Sequence, residues 1–185
     1  MGRLEASGAR TSTTTTTTST GTGGEGGAGP GIAINCPSSG KNAYETYGLA
    51  GFEAVNESIF TNVTNEITAH GTTNLGASLT EIGSGNPPST MDDLATFKGK
   101  LAAFLVWAFG GPTSITYTDG KMYVGPQDMV MAHTGQMITM SQYNYFITNI
   151  ALPALESNGV SVKDAAGCFA PVVTNPTFVA SIVGH

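Results

Sequence analysis

Apolar residues return at three- and four-residue intervals along four stretches of the chain and at alternate positions along a fifth. In "KNAYETYGLAGFEAVNESIFTNV", where the folded part is expected to start, Phe52, Val55, Ile59 and Val63 share one helical face. A second helix follows Thr90. Asp93 lies three residues on, as in a capping box, and two acids in the first turn suit the positive end of the helix dipole. Leu94, Phe97, Leu101, Phe104, Leu105 and Ala108 form its apolar stripe, and Gly110-Gly111-Pro112 stops it.

The alternating stretch is "SITYTDGKMYVG". Asp119-Gly120 at its centre predicts a small β-hairpin. A short helix then carries Met129 to Thr134. After Gly135 a long helix runs from about Thr139, with Tyr143, Phe146, Ile147, Ile150 and Ala154 on its buried side and Asn158-Gly159 at its end. Pro153 should kink this helix, because its ring removes a backbone hydrogen bond. A last helix from about Ser161 turns Ala165, Cys168, Phe169 and Val172 inward, and Pro171 and Pro176 cut it short or bend it. Every element except the hairpin is helical, so the expected fold class is all-α.

Two stretches lack periodicity. Residues 68–90, "TAHGTTNLGASLTEIGSGNPPST", read as a long loop rich in Gly, Ser, Asn and Pro. Residues 1–40 read as a disordered Thr/Gly-rich tail, since "TSTTTTTTSTGTGGEGGAGPG" has nothing to bury and much backbone entropy to lose. The domain is therefore expected over 41–185.

Composition narrows the function. The chain has 185 residues, enough for one domain, and only 11% are charged. Seven basic against 13 acidic residues give a net charge of −6, with no Lys/Arg cluster to displace counterions from phosphates. Nucleic acid is excluded as a partner. The longest apolar run, "LAAFLVWAF" (101–109), is far short of a membrane span. The start, "MGRLEASGAR", shows no secretory h-region, which favours a cytoplasmic or an organellar location without fixing one. Cys36 and Cys168 allow either a pair or two free thiols. The triplets at Asn56 and Asn62 match the glycosylation pattern but fall inside a helix.

The residue that stands out is His133, in "MVMAHTGQMIT" (129–139), where no other side chain is titratable. One reading is a satisfied core or surface histidine. The other is a metal ligand in an apolar slot: a neutral imidazole offers Nε2 to iron while Nδ1–H bonds a backbone carbonyl. One protein ligand suffices for a haem, because the macrocycle supplies four nitrogens.

The order of motifs favours the second. "FKGKLAAFLVWAFGGP" (97–112), "YVGPQDMVMAHTGQMIT" (123–139), "ALESNGV" (154–160) and "CFAPVV" (168–173) resemble truncated haemoglobins of the first group. That family commonly shows K-G-K on its distal helix, G-G-P at that helix's end, Y-x-G-x-x-M before the proximal histidine and G-x-x-I-T after it. The resemblance covers about residues 42–173 and implies a two-over-two helical sandwich around haem b, iron protoporphyrin IX. It makes His133 the proximal iron ligand. Met129, Ile138, Tyr143 and Phe169 would contact the haem on that side, and Phe60, Phe97, Leu101 and Leu105 on the distal side.

The distal side departs from the family. Where many relatives carry an F-Y pair this chain has Ile59-Phe60, and their distal-helix glutamine is Leu101. A register shift of one residue would bring in Thr61 as a sole donor. His70 is a second histidine, in the expanded loop, and His185 is expected at the surface. The implied function is reversible binding of oxygen, nitric oxide or carbon monoxide, with no catalytic residue. Nitric oxide dioxygenation would be a side activity rather than a dedicated one. The alternative is a haem-free, globin-like interaction subunit, with a protein partner at the 68–90 loop or the 113–122 hairpin.

Overall fold

Asn42 starts the first helix by a reciprocal cap: its side chain accepts the Glu45 N–H at 2.7 Å while the Glu45 carboxylate accepts the Asn42 N–H. The computed structural model describes residues 34–83 and 92–185. Helix α1 spans Ala43–His70 and breaks once, at Gly48, whose φ of +69° is open to glycine. Beyond the break the face read from the sequence is buried: Phe52, Val55, Ile59 and Val63 are all under 10% exposed.

The expected 68–90 loop is partly helical. Thr68 to His70 complete α1, a tight 3-10 turn occupies Ala77–Leu79, and α2 follows over Thr80–Gly83. Leu75 and Ile82 are buried, which anchors this connection to the core. Thr90 lies outside the described residues. The cap of α3 (Leu94–Ala108) is Asp93 itself, whose carboxylate accepts the Thr96 N–H at 2.7 Å.

Helix α3 is buried on nearly every side. Phe104 and Ala108 of the expected stripe are buried, and so are Ala102, Ala103 and Val106 on the opposite flank. That flank is covered by the hairpin, an antiparallel pair of β1 (Ser114–Thr116) and β2 (Met122–Val124) turning at Gly120. Ile115, Tyr117 and Tyr123 point inward, while Met122 and Val124 face out. The chain is thus mostly helical, with one two-stranded sheet among the described residues.

Helix α4 (Met129–His133) is followed by α5 (Met140–Tyr145), which has a Thr139–Gln142 capping box. At Pro153 the helix that α5 begins changes its winding and continues. Phe146–Ala151 widen into i→i+5 turns and α6 (Leu152–Ser157) continues with helical dihedrals, so the missing N–H is absorbed by the wider turn. The same solution recurs before Pro171. Helix α7 (Val162–Asp164) widens over Ala165–Phe169 and resumes as α8 (Ala170–Val173). Pro176 opens a separate helix, α9 (Pro176–Ala180).

Cys36 and Cys168 form a disulfide across 132 residues, so packed structure begins upstream of the expected start at 41. Beside it Asp164 accepts from the Ser38 N–H at 2.9 Å, the Ser38 hydroxyl at 2.5 Å and the Tyr47 hydroxyl at 2.6 Å. Both features clip the segment before α1 onto the helix that carries Phe169.

Candidate functional site

Helices α1 and α3, the α4–α5 segment and the Val162–Val173 helix enclose a cavity of about 710 Å³. That size lies within the range of roughly 300–1,000 Å³ usual for small-molecule and cofactor sites. Its walls are mainly hydrophobic side chains. All nine residues singled out from the sequence line it: Phe60, Phe97, Leu101 and Leu105 from α1 and α3, and Met129, His133, Ile138, Tyr143 and Phe169 from the later elements.

His133 is the last residue of α4. Asp128 caps this short helix by accepting the Met131 N–H at 3.0 Å. The His133 Nδ1 lies 2.7 Å from the carbonyl oxygen of Met129, which can only accept, so Nδ1 carries the proton. Nε2 is then the ring nitrogen with a free lone pair. Burial holds the imidazole below its ordinary pKa, against the raising effect of the Met129 carbonyl, and His185 nearby lowers it further. The ring is therefore neutral at pH 7, the form that donates to a metal.

Gly135 at φ +84° and Met137 at φ +52° reverse the chain after His133 and bring Ile138 back to the cavity. Tyr143 is fixed on the same side, its hydroxyl donating to the Val173 carbonyl at 2.6 Å. Burial raises its pKa, so it stays a donor.

The opposite wall carries no donor on the residues read from the sequence. Phe60 meets Phe97 edge to face at 5.8 Å, and Leu101 and Leu105 continue the surface. The alternative register is excluded: Thr61 is exposed, and its hydroxyl returns to the Glu57 carbonyl at 3.0 Å. Lys98 lies over the Phe60 ring at 5.1 Å and pairs with Glu57 at 2.6 Å. Lys100 lines the cavity and pairs with Asp92 at 2.6 Å.

The other two histidines fall elsewhere. His70 ends α1 rather than sitting in a loop, pairs with Glu66 at 3.0 Å and does not line the cavity. His185 is not a bare surface residue. It is partly buried, its Nε2 lies 2.9 Å from the Ala180 carbonyl oxygen, and its own carbonyl accepts the Met137 N–H. The Cys36–Asp164–Cys168 cluster offers no thiolate to a metal, since its sulfurs are bonded to each other.

Sequence reasoning missed Phe178 and Ile182, which line the cavity from beyond the matched motifs. Their i, i+4 spacing was the available signal, obscured by the nearby Pro176. Asn56 is fully buried, donating to the Lys98 carbonyl and the Tyr117 hydroxyl, which removes it as a glycan acceptor. No described helix is long and apolar enough to cross a membrane. The chain matches no family model, no curated protein and no solved structure.

Proposed function

We propose that the chain is a globin of the truncated two-over-two kind, which holds haem b through His133 and reversibly binds a diatomic gas. Oxygen, nitric oxide and carbon monoxide are the candidate ligands. One observation carries the reading: an imidazole lining an apolar cavity, with Nδ1–H held by the Met129 carbonyl and Nε2 unengaged. Such an arrangement fixes tautomer and ring orientation in the way a metal-ligating histidine requires.

The residues present fit the group. The cavity volume and apolar walls suit a flat hydrophobic cofactor. When bound, haem supplies an iron centre with a position open to a small gas. The chain's own residues do the rest. Met129 orients His133 through its carbonyl. Tyr143, Phe169 and Ile138 exclude water beside the imidazole, while Phe60, Phe97, Leu101 and Leu105 form a wall that offers a gas no hydrogen bond. That wall disfavours oxygen relative to carbon monoxide, because only the former gains from a donor. A dedicated enzyme is not proposed, since dioxygenation of nitric oxide requires stable oxygen binding and an electron donor.

The haem-free reading draws on Met122 and Val124, 73% and 55% exposed on the outer hairpin face, which would suit a partner. It leaves the His133 geometry without a role.

The test uses the full chain, because Cys36 is covalently part of the fold. Titration with haemin should produce a saturable Soret band at one equivalent, and His133→Ala should abolish or shift it. A parent protein with no band, or a variant with the parent's spectrum and affinity, rejects the proposal.

A further inference from the structure

Residues 175–185 are built as a unit of their own. Asn175 caps α9 by accepting the Thr177 and Phe178 N–H groups, Ser181 bonds the Phe178 carbonyl, and the His185 ring bonds the Ala180 carbonyl. From Thr177 onward two hydrogen bonds join this segment to other described residues. The Gly184 N–H donates to the Ile138 carbonyl at 2.9 Å, and the His185 carbonyl accepts the Met137 N–H. Both go to the turn that follows His133.

Apolar side chains complete the attachment, with the partly buried Val179 and Val183 packed against the core beside Phe178 and Ile182. Phe178 stacks on Phe104 of α3 at 6.1 Å with rings 10° from parallel, and Ile182 is buried one turn later. Both line the cavity, so this segment is part of its wall. Asn175 joins it to α8 in an extended conformation, φ −61° and ψ 127°; rotation about its φ keeps the segment's internal bonds and breaks the bond from its N–H to the Val172 carbonyl. At the other anchor Met137 is held at φ +52°, a conformation L-residues rarely adopt. The attached turn thus holds Met137 in a conformation that glycine adopts more readily.

We propose that residues 175–185 are a hinged strap whose release from the Met137–Ile138 turn opens the cavity to a flat apolar ligand. The strap turns about Asn175, carries Phe178 and Ile182 out of the cavity wall, and frees the turn beside His133. Its use as the route for haem rests on the cofactor reading above; the hinge itself does not.

Hydrogen–deuterium exchange on the full chain without haemin tests the hinge directly. Amides of Ile182–Gly184 should exchange at least tenfold faster than those of Val172–Thr174. Met137→Gly keeps the amide while relieving the backbone, and should slow strap exchange severalfold. Phe178→Ala should accelerate it about tenfold. Uptake of anilinonaphthalene sulfonate, an apolar dye, and loss of haemin to an excess of apo-acceptor should change in the same order. Equal exchange on both sides of Asn175, or variants that leave exchange and dye uptake at the parent's rates, overturns the strap. A protein that takes up no haemin but shows the exchange and dye pattern rejects the cofactor reading alone.

Discussion

The ring of Tyr123 occupies the space a side chain on Gly99 would need: a Cβ there would lie 2.3 Å from the ring. The glycine of the Lys98-Gly99-Lys100 motif thus lets the hairpin lie flat on the back of α3. Gly99→Ala should push Tyr123 outward and destabilise the fold by about 1–3 kcal/mol, the usual cost of overpacking. A lower urea midpoint with an unchanged slope checks this; an unchanged midpoint would mean the hairpin is a loose insertion.

Asp164 joins three donors from the segment before α1 and its first turn. The Ser38 hydroxyl, then the Tyr47 hydroxyl, hold its carboxyl below the usual carboxylate range. Its folded pKa is depressed, so its contribution to stability is complete above the ordinary Asp value and is lost as pH falls through the folded one. Asp164→Asn should cost about 2 kcal/mol at neutral pH, from weakened charge-assisted bonds. It should also flatten the acid limb of the stability profile, read as melting temperature between neutral and strongly acidic buffers. Tyr47, its pKa pushed up to about 12 by burial and then by Asp164, should titrate nearer its ordinary value in the variant.

The disulfide closes a loop of 132 residues, which restricts the unfolded chain. Replacing both cysteines by serine should lower stability by about 2–4 kcal/mol. The measurement is a guanidinium unfolding curve for parent and variant. Since Cys168 precedes Phe169 in the cavity wall, haemin affinity should fall as well.

Phe60→Tyr would place a hydroxyl on the donor-free wall. One neutral hydrogen bond is worth about 1 kcal/mol, so oxygen dissociation from the reduced, haemin-loaded variant should slow roughly fivefold. Carbon monoxide dissociation should change much less. Flash photolysis with both gases separates the two, and parallel changes would place Phe60 away from the bound gas.

Helix faces were legible where large apolar side chains repeat. Phe52 through Val63 and Ala165 through Val172 are buried as their spacing predicts. The inner flank of α3 was harder to read because Gly99, Ala102 and Ala103 carry little hydrophobic signal, and "LAAFLVWAF" is apolar all round, as buried helices are. The candidate site was found from motif order, and its residues meet at one cavity although periodicity alone would have assigned most of them to plain core. What stayed hidden depends on distant partners. Neither Cys36 with Cys168 nor Asp164 with Ser38 and Tyr47 has a local pattern. The prolines mark where regular winding changes without giving the form of the change: wide turns precede Pro153 and Pro171, and α8 ends before Pro176.

The widened turns at Phe146–Ala151 and Ala165–Phe169 set a constraint on how this chain can change. Each amounts to one surplus residue in an otherwise regular helix, and one residue is about 100° of rotation. Deleting the surplus residue from either turn would restore regular winding and leave Ala154 and Val172 close to their present faces, because the wide turn is what absorbs the extra residue. Deleting a residue elsewhere in these helices would instead rotate everything downstream by about 100°. Changes of length in these two helices are therefore tolerated at the wide turns and resisted beside them.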